Sequence, residues 1–355
     1  MPNQAHRIPG RAYERPLNGE ASRGRLRLHT SDQLVAYVSA SELSESLDGC
    51  HAASSMSPDQ AHRLVAGVGQ RLLVSLRHRL LFCPIEKNAM TSWTRWFFDL
   101  HGKPCRDGKD LFTSLRWAVD QQELPMLQAL DELDAARAIE CLSWKRAVVV
   151  RDPLERLLSA FIDKCVKGRQ RRRHCPNFRR KPPASFRAFV DRLTPEDVAA
   201  GDYHFRQQAQ FCGLSSSSGD AGQGAPSKKL PQSLRMVHGK KAQWKPWTGP
   251  AQLPRYTHVL RLSESSFEQQ VLGMARQLHI DSATLRRLMP NVSRKHVWHR
   301  TGAAKQQLRW YTRATAERAL ALYKMDYDLF GLPRPSLDAF NATIEPTFVA
   351  QWSQY

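Results

Sequence analysis

Two short apolar runs constrain this chain more than any other feature, because each breaks at a cation and turns directly into a helix. In "LLFCPIEKNAMTSWTRWFFDL" (Leu80 to Leu100) the run Leu80–Pro84 leads through a loop carrying Lys87 into an amphipathic segment. In "AVVVRDPLERLLSAFIDK" (Ala147 to Lys164) the run Ala147–Val150 ends at Arg151. Such runs are short for a helix. Their nearly continuous apolar character, without polar alternation, reads as strands buried on both faces. Thr257–Leu262 is a third segment of this kind, and helices are expected at Thr91–His101, Pro153–Val166, Ser185–Arg192, Glu264–Leu278 and Thr312–Phe330. Short buried strands alternating with helices predict an α/β fold: a parallel sheet flanked by helices on both faces.

A sheet of this kind needs a sizeable core, and 41% of the 355 residues are hydrophobic. Positions 1–65 are polar, with Ser, Gly and Pro interruptions, and are expected to form a poorly ordered extension with one short helix at most. The domain is expected over 70–332, with a tail at 333–355. Two internal stretches read as loops: the basic run "KGRQRRRHCPNFRRK" at 167–181 and the low-complexity "SSSSGDAGQGAPSKK" at 215–229. No window approaches the roughly 18 apolar residues that a membrane helix needs. The opening "MPNQAHRIPGRAYERPLNGEAS" lacks the apolar centre of a signal peptide, so the chain is expected to be soluble or to lack its targeting segment.

Lys and Arg outnumber Asp and Glu by 53 to 33, a net charge of +20 that attracts polyanions. The seven cysteines include no CxxC pair and no zinc-type spacing, so a structural metal is not expected. Cys165 and Cys175 are candidates for one disulfide in an oxidising compartment. The sequons Asn291-Val-Ser293 and Asn341-Ala-Thr343 are weak pointers to the secretory route.

The chemistry concentrates at the two junctions. Trp93, Trp96, Phe97 and Leu100 recur at helical spacing, so the first helix begins near Met90 or Thr91. Its unpaired N–H groups and the positive end of its dipole then face the loop "EKNAM". Lys87, with Thr91 and Ser92 at the helix start, makes an anion site suited to phosphate or sulfate. A Walker loop would carry glycines and a lysine directly before the hydroxyl. Here glycine is absent and Lys87 precedes Thr91 by four, so an ordinary helix cap with a surface lysine is the plainer alternative.

At the second junction Asp152 can cap the helix, Pro153 suits its first position, and Glu155 completes a capping box. Leu154, Leu157, Leu158, Phe161, Ile162 and Cys165 form the buried stripe. Arg151 stands at the carboxyl edge of the sheet, where ligands of open α/β sheets bind. Ser159, read as lying on the polar face, leans toward the helix start and can share one phosphate with a bidentate Arg151. The alternative pairs Arg151 with a local carboxylate. Two anion sites on neighbouring strand ends suit a ligand with two separated phosphate-like groups.

These residues resemble a known family. "CPIEKNAMTSWTRW" is similar to the 5′-phosphosulfate loop of the Golgi carbohydrate sulfotransferases, the chondroitin/dermatan and HNK-type group, and "VVVRDPLERLLSAFIDK" is similar to their 3′-phosphate motif. "DYHFRQQAQFC" (Asp202 to Cys212), "YTHVLRLSESSFEQQV" and "LYKMDYDLFGL" (Leu322 to Leu332) resemble three further segments in the family's order. The departures are Ile85 and Glu86 inserted before Lys87, Met90 and Ser92 in place of Cys and Asn, and Gln207 in place of proline. The resemblance implies a P-loop-NTPase-like sulfotransferase fold. It also implies 3′-phosphoadenosine-5′-phosphosulfate (PAPS) as sulfuryl donor, a glycan acceptor whether anionic or neutral, membrane association and a Golgi location.

Under that resemblance Lys87 stabilises charge on the leaving 5′-phosphate, helped by Asn88, Thr91, Ser92 and more weakly Arg95, while Arg151 and Ser159 hold the 3′-phosphate. His204 is the expected base, because its "HFRQQ" matches the family segment and histidine titrates near neutral pH. Asp202 and Glu264 are alternatives, as is a purely structural His204. No metal is required. The basic run at 167–181 can line an acidic glycan groove, or be a solvated loop. A P-loop-type nucleotide kinase and a non-enzymatic polyanion-binding module are the rival readings. Nucleic acid is not an expected partner, because aromatic residues do not interleave with the basic run.

Overall fold

The computed structural model describes residues 40–50, 56–68, 72–101, 126–127, 130–167, 174–175, 183, 185–213, 256–281, 283–285 and 302–340. Among them a four-stranded sheet runs in the order β1 (Leu73–Ser75), β2 (Leu80–Cys83), β3 (Lys145–Val150) and β4 (His258–Arg261). β2, β3 and β4 are the three expected strands. They are parallel neighbours, with Phe82 opposite Ala147 and Ala147 opposite His258. β1 was not foreseen. It pairs antiparallel with β2, so the sheet is mixed rather than wholly parallel. Three residues with no periodicity of their own leave no strand signature, and only the β2 edge makes them one.

Side chains alternate across β2 and β3 and build two cores. Leu80, Phe82, Ala147 and Val149 face Trp93, Trp96 and Phe97 of α3 (Met90–Leu100). Leu81, Cys83, Val148 and Val150 face the other way, toward Trp144 and the helix Glu132–Glu140. That second face also takes in two helices upstream of Gln70, Ala40–Leu47 and Pro58–Val68, where one at most was expected. A third core joins α5 (Pro153–Phe161) to the helices Phe186–Arg192, Ala303–Trp310 and Arg313–Leu322.

Two expected helices are interrupted. Pro153–Val166 ends as an α-helix at Phe161 and continues as a π-turn over Ile162–Lys167. Thr312–Phe330 divides at Tyr323 into Arg313–Leu322 and Lys324–Phe330. The break lets Asp326 turn inward to accept hydrogen bonds from the Gln208 and Ala209 N–H groups at 2.9 and 2.8 Å. The helix expected over Ser185–Arg192 runs Phe186–Arg192 with Ser185 as its cap, and that over Glu264–Leu278 runs Phe267–Gln277.

Three disulfides form among the described residues, where the sequence pointed to one. Cys165–Cys175 is joined by Cys50–Cys141 and Cys83–Cys212. Cys50–Cys141 fastens the upstream helices, and Cys83–Cys212 ties the end of β2 to the segment after His204. Cys105, both sequons, the 215–229 insertion and most of the 167–181 run lie outside the described residues.

Non-reducing peptide mapping is expected to recover all three linkages. Closing 129 residues, the Cys83–Cys212 bridge should contribute about 5 kcal/mol by loop entropy. A Cys83→Ser/Cys212→Ser variant with unchanged urea midpoint would contradict this.

Candidate active site

The loop after β2 turns tightly. Lys87 and Ala89 both hold left-handed backbone, at φ 70° and 58°, a conformation that non-glycine residues adopt rarely and mostly where surroundings enforce it. Ala89 is the N-cap of α3 and has no side chain to satisfy the first-turn N–H groups. Thr91 and Ser92 are partly exposed there, as is Arg95 one turn on. The Lys87 side chain is 11% exposed, and its ammonium donates to Asp163 Oδ2 at 2.8 Å. Burial pulls Lys87 below the ordinary lysine value, against the opposing attraction of Asp163. Burial alone would raise Asp163, but Lys87 and Lys164 outweigh it and hold the carboxyl well below the usual carboxylate range. Both lysines share the same Asp163 oxygen, Lys164 at 3.1 Å. The π-turn makes this possible: its wider winding re-aims Asp163 and Lys164 relative to a continued α-helix, as π-turns often do at functional sites.

The loop after β3 meets the first one directly. Arg151 Nη1 donates to the Lys87 carbonyl at 2.9 Å, and Nη2 donates to Glu155. The capping-box expectation for Glu155 fails for a specific reason. Ser263 Oγ already accepts the Asp152 N–H, so the Glu155 carboxylate turns to Arg151 and to the Ser263 hydroxyl. Asp152 does cap the helix, accepting from the Glu155 N–H at 2.8 Å. Arg151 thus has the local carboxylate partner weighed from the sequence, yet its Nε is buried with no hydrogen-bond partner among the described residues. Ser159 does not lie on a polar face, because every residue of α5 is buried.

Gln208 locks the two turns together. Its Oε1 accepts from Asn88 Nδ2 at 2.6 Å and from the Arg151 N–H at 2.9 Å, and its Nε2 donates to the Arg151 carbonyl and to Asp326. Asn88 also donates to the Val149 carbonyl at 2.8 Å, so its side chain fastens the loop to β3 instead of facing a ligand. Arg156 is fully buried and donates to three carbonyls: Glu86 in the first loop, and Tyr203 and Arg206 flanking His204. Neither Gln208 nor Arg156 was singled out from the sequence. Both belong to the motifs quoted there, which was the signal available.

His204 stands on the turn after Gly201. Asp202 Oδ1 accepts from its Nδ1 at 2.7 Å and from its backbone N–H at 2.9 Å. Asp202 Oδ2 accepts from His174 Nδ1 at 2.9 Å. Burial pulls His204 below the ordinary histidine value, with Asp202 opposing and Lys164 reinforcing the effect. Burial alone would raise Asp202, but its two histidine donors hold it well below the usual carboxylate range. The three groups lie within 4.8 Å of one another, close enough to suggest a metal site. Both Nδ1 atoms are already engaged by the carboxylate, and Lys164 opposes further positive charge, so the donor set suits a hydrogen-bonded array better than a divalent cation. Glu264, an alternative base, pairs instead with Arg261 and Gln270.

Residues 70–238 match the Sulfotransferase family. The chain is 32% identical over 98 residues to carbohydrate sulfotransferase 10 of Danio rerio, covering 28% of this chain and 26% of that protein. It is 28% identical over 96 residues to carbohydrate sulfotransferase 10 of Homo sapiens (27% and 26%), and 30% identical over 95 residues to carbohydrate sulfotransferase 9 of Homo sapiens (26% and 20%). The match thus spans about a quarter of the length of these curated relatives. No solved structure matches the chain significantly.

Arg156→Lys tests the cross-link between the loop after β2 and the His204 segment. One ammonium cannot reach three carbonyls in fixed directions, so the variant is expected to lose about 3 kcal/mol, read by urea unfolding. A loss within the scatter of surface substitutions, about 0.5 kcal/mol, would remove Arg156 from this role.

Proposed function

With residues 70–238 a segment of the sulfotransferase family, we infer that this protein moves a sulfuryl group from PAPS to a hydroxyl of a carbohydrate acceptor. One observation supports this most. The cation-bearing turns after β2 and β3 touch, through Arg151 Nη1 and the Lys87 carbonyl, and the buried Arg151 Nε is a donor with no acceptor among the described residues. An anionic oxygen fits such a donor. The ordered motifs that surround these turns fit a donor carrying phosphate at both ends.

His204 Nε2 takes the proton of the acceptor hydroxyl as that oxygen bonds to sulfur. The S–O bond to the 5′-phosphate breaks, its electron pair stays on the phosphate oxygen, and the Lys87 ammonium stabilises the charge gained there. Thr91, Ser92 and the α3 N–H groups support Lys87, with Arg95 a weaker helper, while Asn88 holds the loop in place. Arg151 holds the 3′-phosphate that distinguishes this donor from ATP, while Ser159, expected beside it, is buried within α5. Lys87 reaches the donor by loosening its tie to Asp163, which Lys164 continues to neutralise.

The net charge of +20 suits an acidic glycan among possible acceptors. Three disulfides support folding in an oxidising compartment, in keeping with the Golgi location that the resemblance implies. No helix among the described residues is long and apolar enough to cross a membrane.

Adenosine 3′,5′-bisphosphate is expected to raise the thermal midpoint more than ATP with Mg²⁺; the reverse order would favour a nucleotide kinase. Lys87→Ala should lower transfer of labelled sulfate from PAPS to desulfated glycans by about 10²–10³-fold while sparing heparin binding. Arg151→Ala should raise the KM for PAPS by about 10- to 100-fold, the worth of charged hydrogen bonds, with acceptor KM changed far less. Unaltered donor affinity would contradict the assignment of Arg151. Absence of transfer to any desulfated glycan would favour a binding module.

A further inference from the structure

His174 lies in the basic run after α5, where nothing in the sequence set it apart from the surrounding arginines. Folding brings it to the Asp202 carboxylate oxygen that His204 does not use. The two imidazoles stand edge-to-face, with centroids 5.1 Å apart and planes at 78°, and each directs Nδ1 at a different oxygen of Asp202. An ionised carboxylate only accepts hydrogen bonds, so each ring nitrogen that faces it carries the proton. For a neutral His204 this leaves Nε2 as the lone-pair nitrogen, the form a base requires.

A carboxylate held through one oxygen can rotate. Here Oδ1 is held by the His204 ring and backbone, and Oδ2 by His174. The position of His174 is itself fixed covalently. The next residue, Cys175, is bonded to Cys165 on the π-turn, and both sulfur-bearing residues are buried. Cys165 follows Lys164, and Asp163 just before it is the partner of Lys87. One short bridge therefore connects the imidazole array to the lysine site.

We propose that His174 is a positioning residue for His204: through Asp202 it fixes the Nδ1–H tautomer and ring direction of His204, and the Cys165–Cys175 disulfide holds it in place. The role of His204 in proton transfer rests on the sulfotransferase reading; the tautomer does not. The charged groups that act on His204 are Asp202, Lys164 from the π-turn and Glu86 from the loop after β2; the His174 ring and the Tyr203 ring, tilted by 37° with its centroid 4.5 Å away, also face it. Burial and Lys164 disfavour the imidazolium, so His204 stays neutral and able to accept a proton near pH 7.

The test is ¹⁵N NMR of histidine-labelled protein together with the pH profile of transfer. In the unaltered protein His204 is expected as the Nδ1–H tautomer at pH 7; an Nε2–H His204 overturns the proposal without any variant. In His174→Ala, His204 should become a mixture of tautomers. Its kcat should fall about tenfold, a fraction of the ~10²–10⁴ that a positioned base contributes. The acid limb of kcat/KM should move while the KM for PAPS stays within twofold. His174→Asn, which keeps a donor near the Nδ1 position, should restore tautomer and limb. Cys165→Ser/Cys175→Ser should reproduce the alanine phenotype. An unchanged tautomer and acid limb in His174→Ala, or failure of asparagine to restore them, overturns the positioning role, and an unchanged tautomer in the cysteine variant overturns the role of the disulfide. If no transfer occurs and adenosine 3′,5′-bisphosphate does not stabilise the unaltered protein, the sulfotransferase reading fails while the tautomer measurements still decide the array.

Discussion

Gln208 has no exposed surface, and all four hydrogen-bonding positions of its amide are used: two lone pairs by Asn88 and Arg151, two protons by Arg151 and Asp326. A buried amide with any of these positions unmet would cost on the order of 1–3 kcal/mol. Both loops and the Lys324–Phe330 helix are therefore held to the one arrangement that satisfies it. β2 and β3 being parallel neighbours brings their carboxyl ends to one edge, but only approximately; the amide sets the final separation. Arg156 repeats the device a few residues away, joining the first loop to the His204 segment through three carbonyls. The Cys83–Cys212 bridge adds a covalent version of the same connection.

The cations that give the site its character are not left bare. Lys87 rests on Asp163 and Arg151 on Glu155. A buried cation without a partner would be strongly disfavoured or would lose its proton. Asp163 opposes the effect of burial on Lys87, and the two carboxylates hold both side chains in one direction. In the proposed function an incoming phosphate would compete with them, which would favour a ligand bringing two or more negative charges over a single weak anion. The Asp202 array follows the same logic with opposite sign: two imidazoles surround one carboxylate and keep it ionised.

The strand positions were legible because a buried parallel strand must be apolar on both faces, and Leu80–Cys83 and Ala147–Val150 satisfy that with almost no polar interruption. The helix starts at Met90 and Pro153 were legible from periodicity and capping chemistry. Lys87 and Arg151 stood out because a cation at a strand–helix junction suits an anion at the sheet edge, and His204 because its segment resembles one of the sulfotransferase family. Their actual partners did not stand out. Asp163 and Lys164 fell within the helix expected over Pro153–Val166 and drew no separate reading, and the π-turn that redirects them has no sequence signature at this length. Ser159 seemed to lie on a polar face of that helix, but α5 is enclosed by a third core that no local pattern announces.

By itself the sequence determined the local elements and the chemical types at two sheet-edge turns, since these depend on periods of two and 3.6 residues and on neighbours in the chain. Tertiary structure alone decided that Asp163 faces Lys87, that Cys50 joins Cys141 and Cys83 joins Cys212, and that His174 meets Asp202. Those pairings close over separations from 28 to 129 residues. At such distances the partner is chosen by the competition among buried polar groups for a finite set of donors and acceptors, and that competition exists only once the core has excluded water.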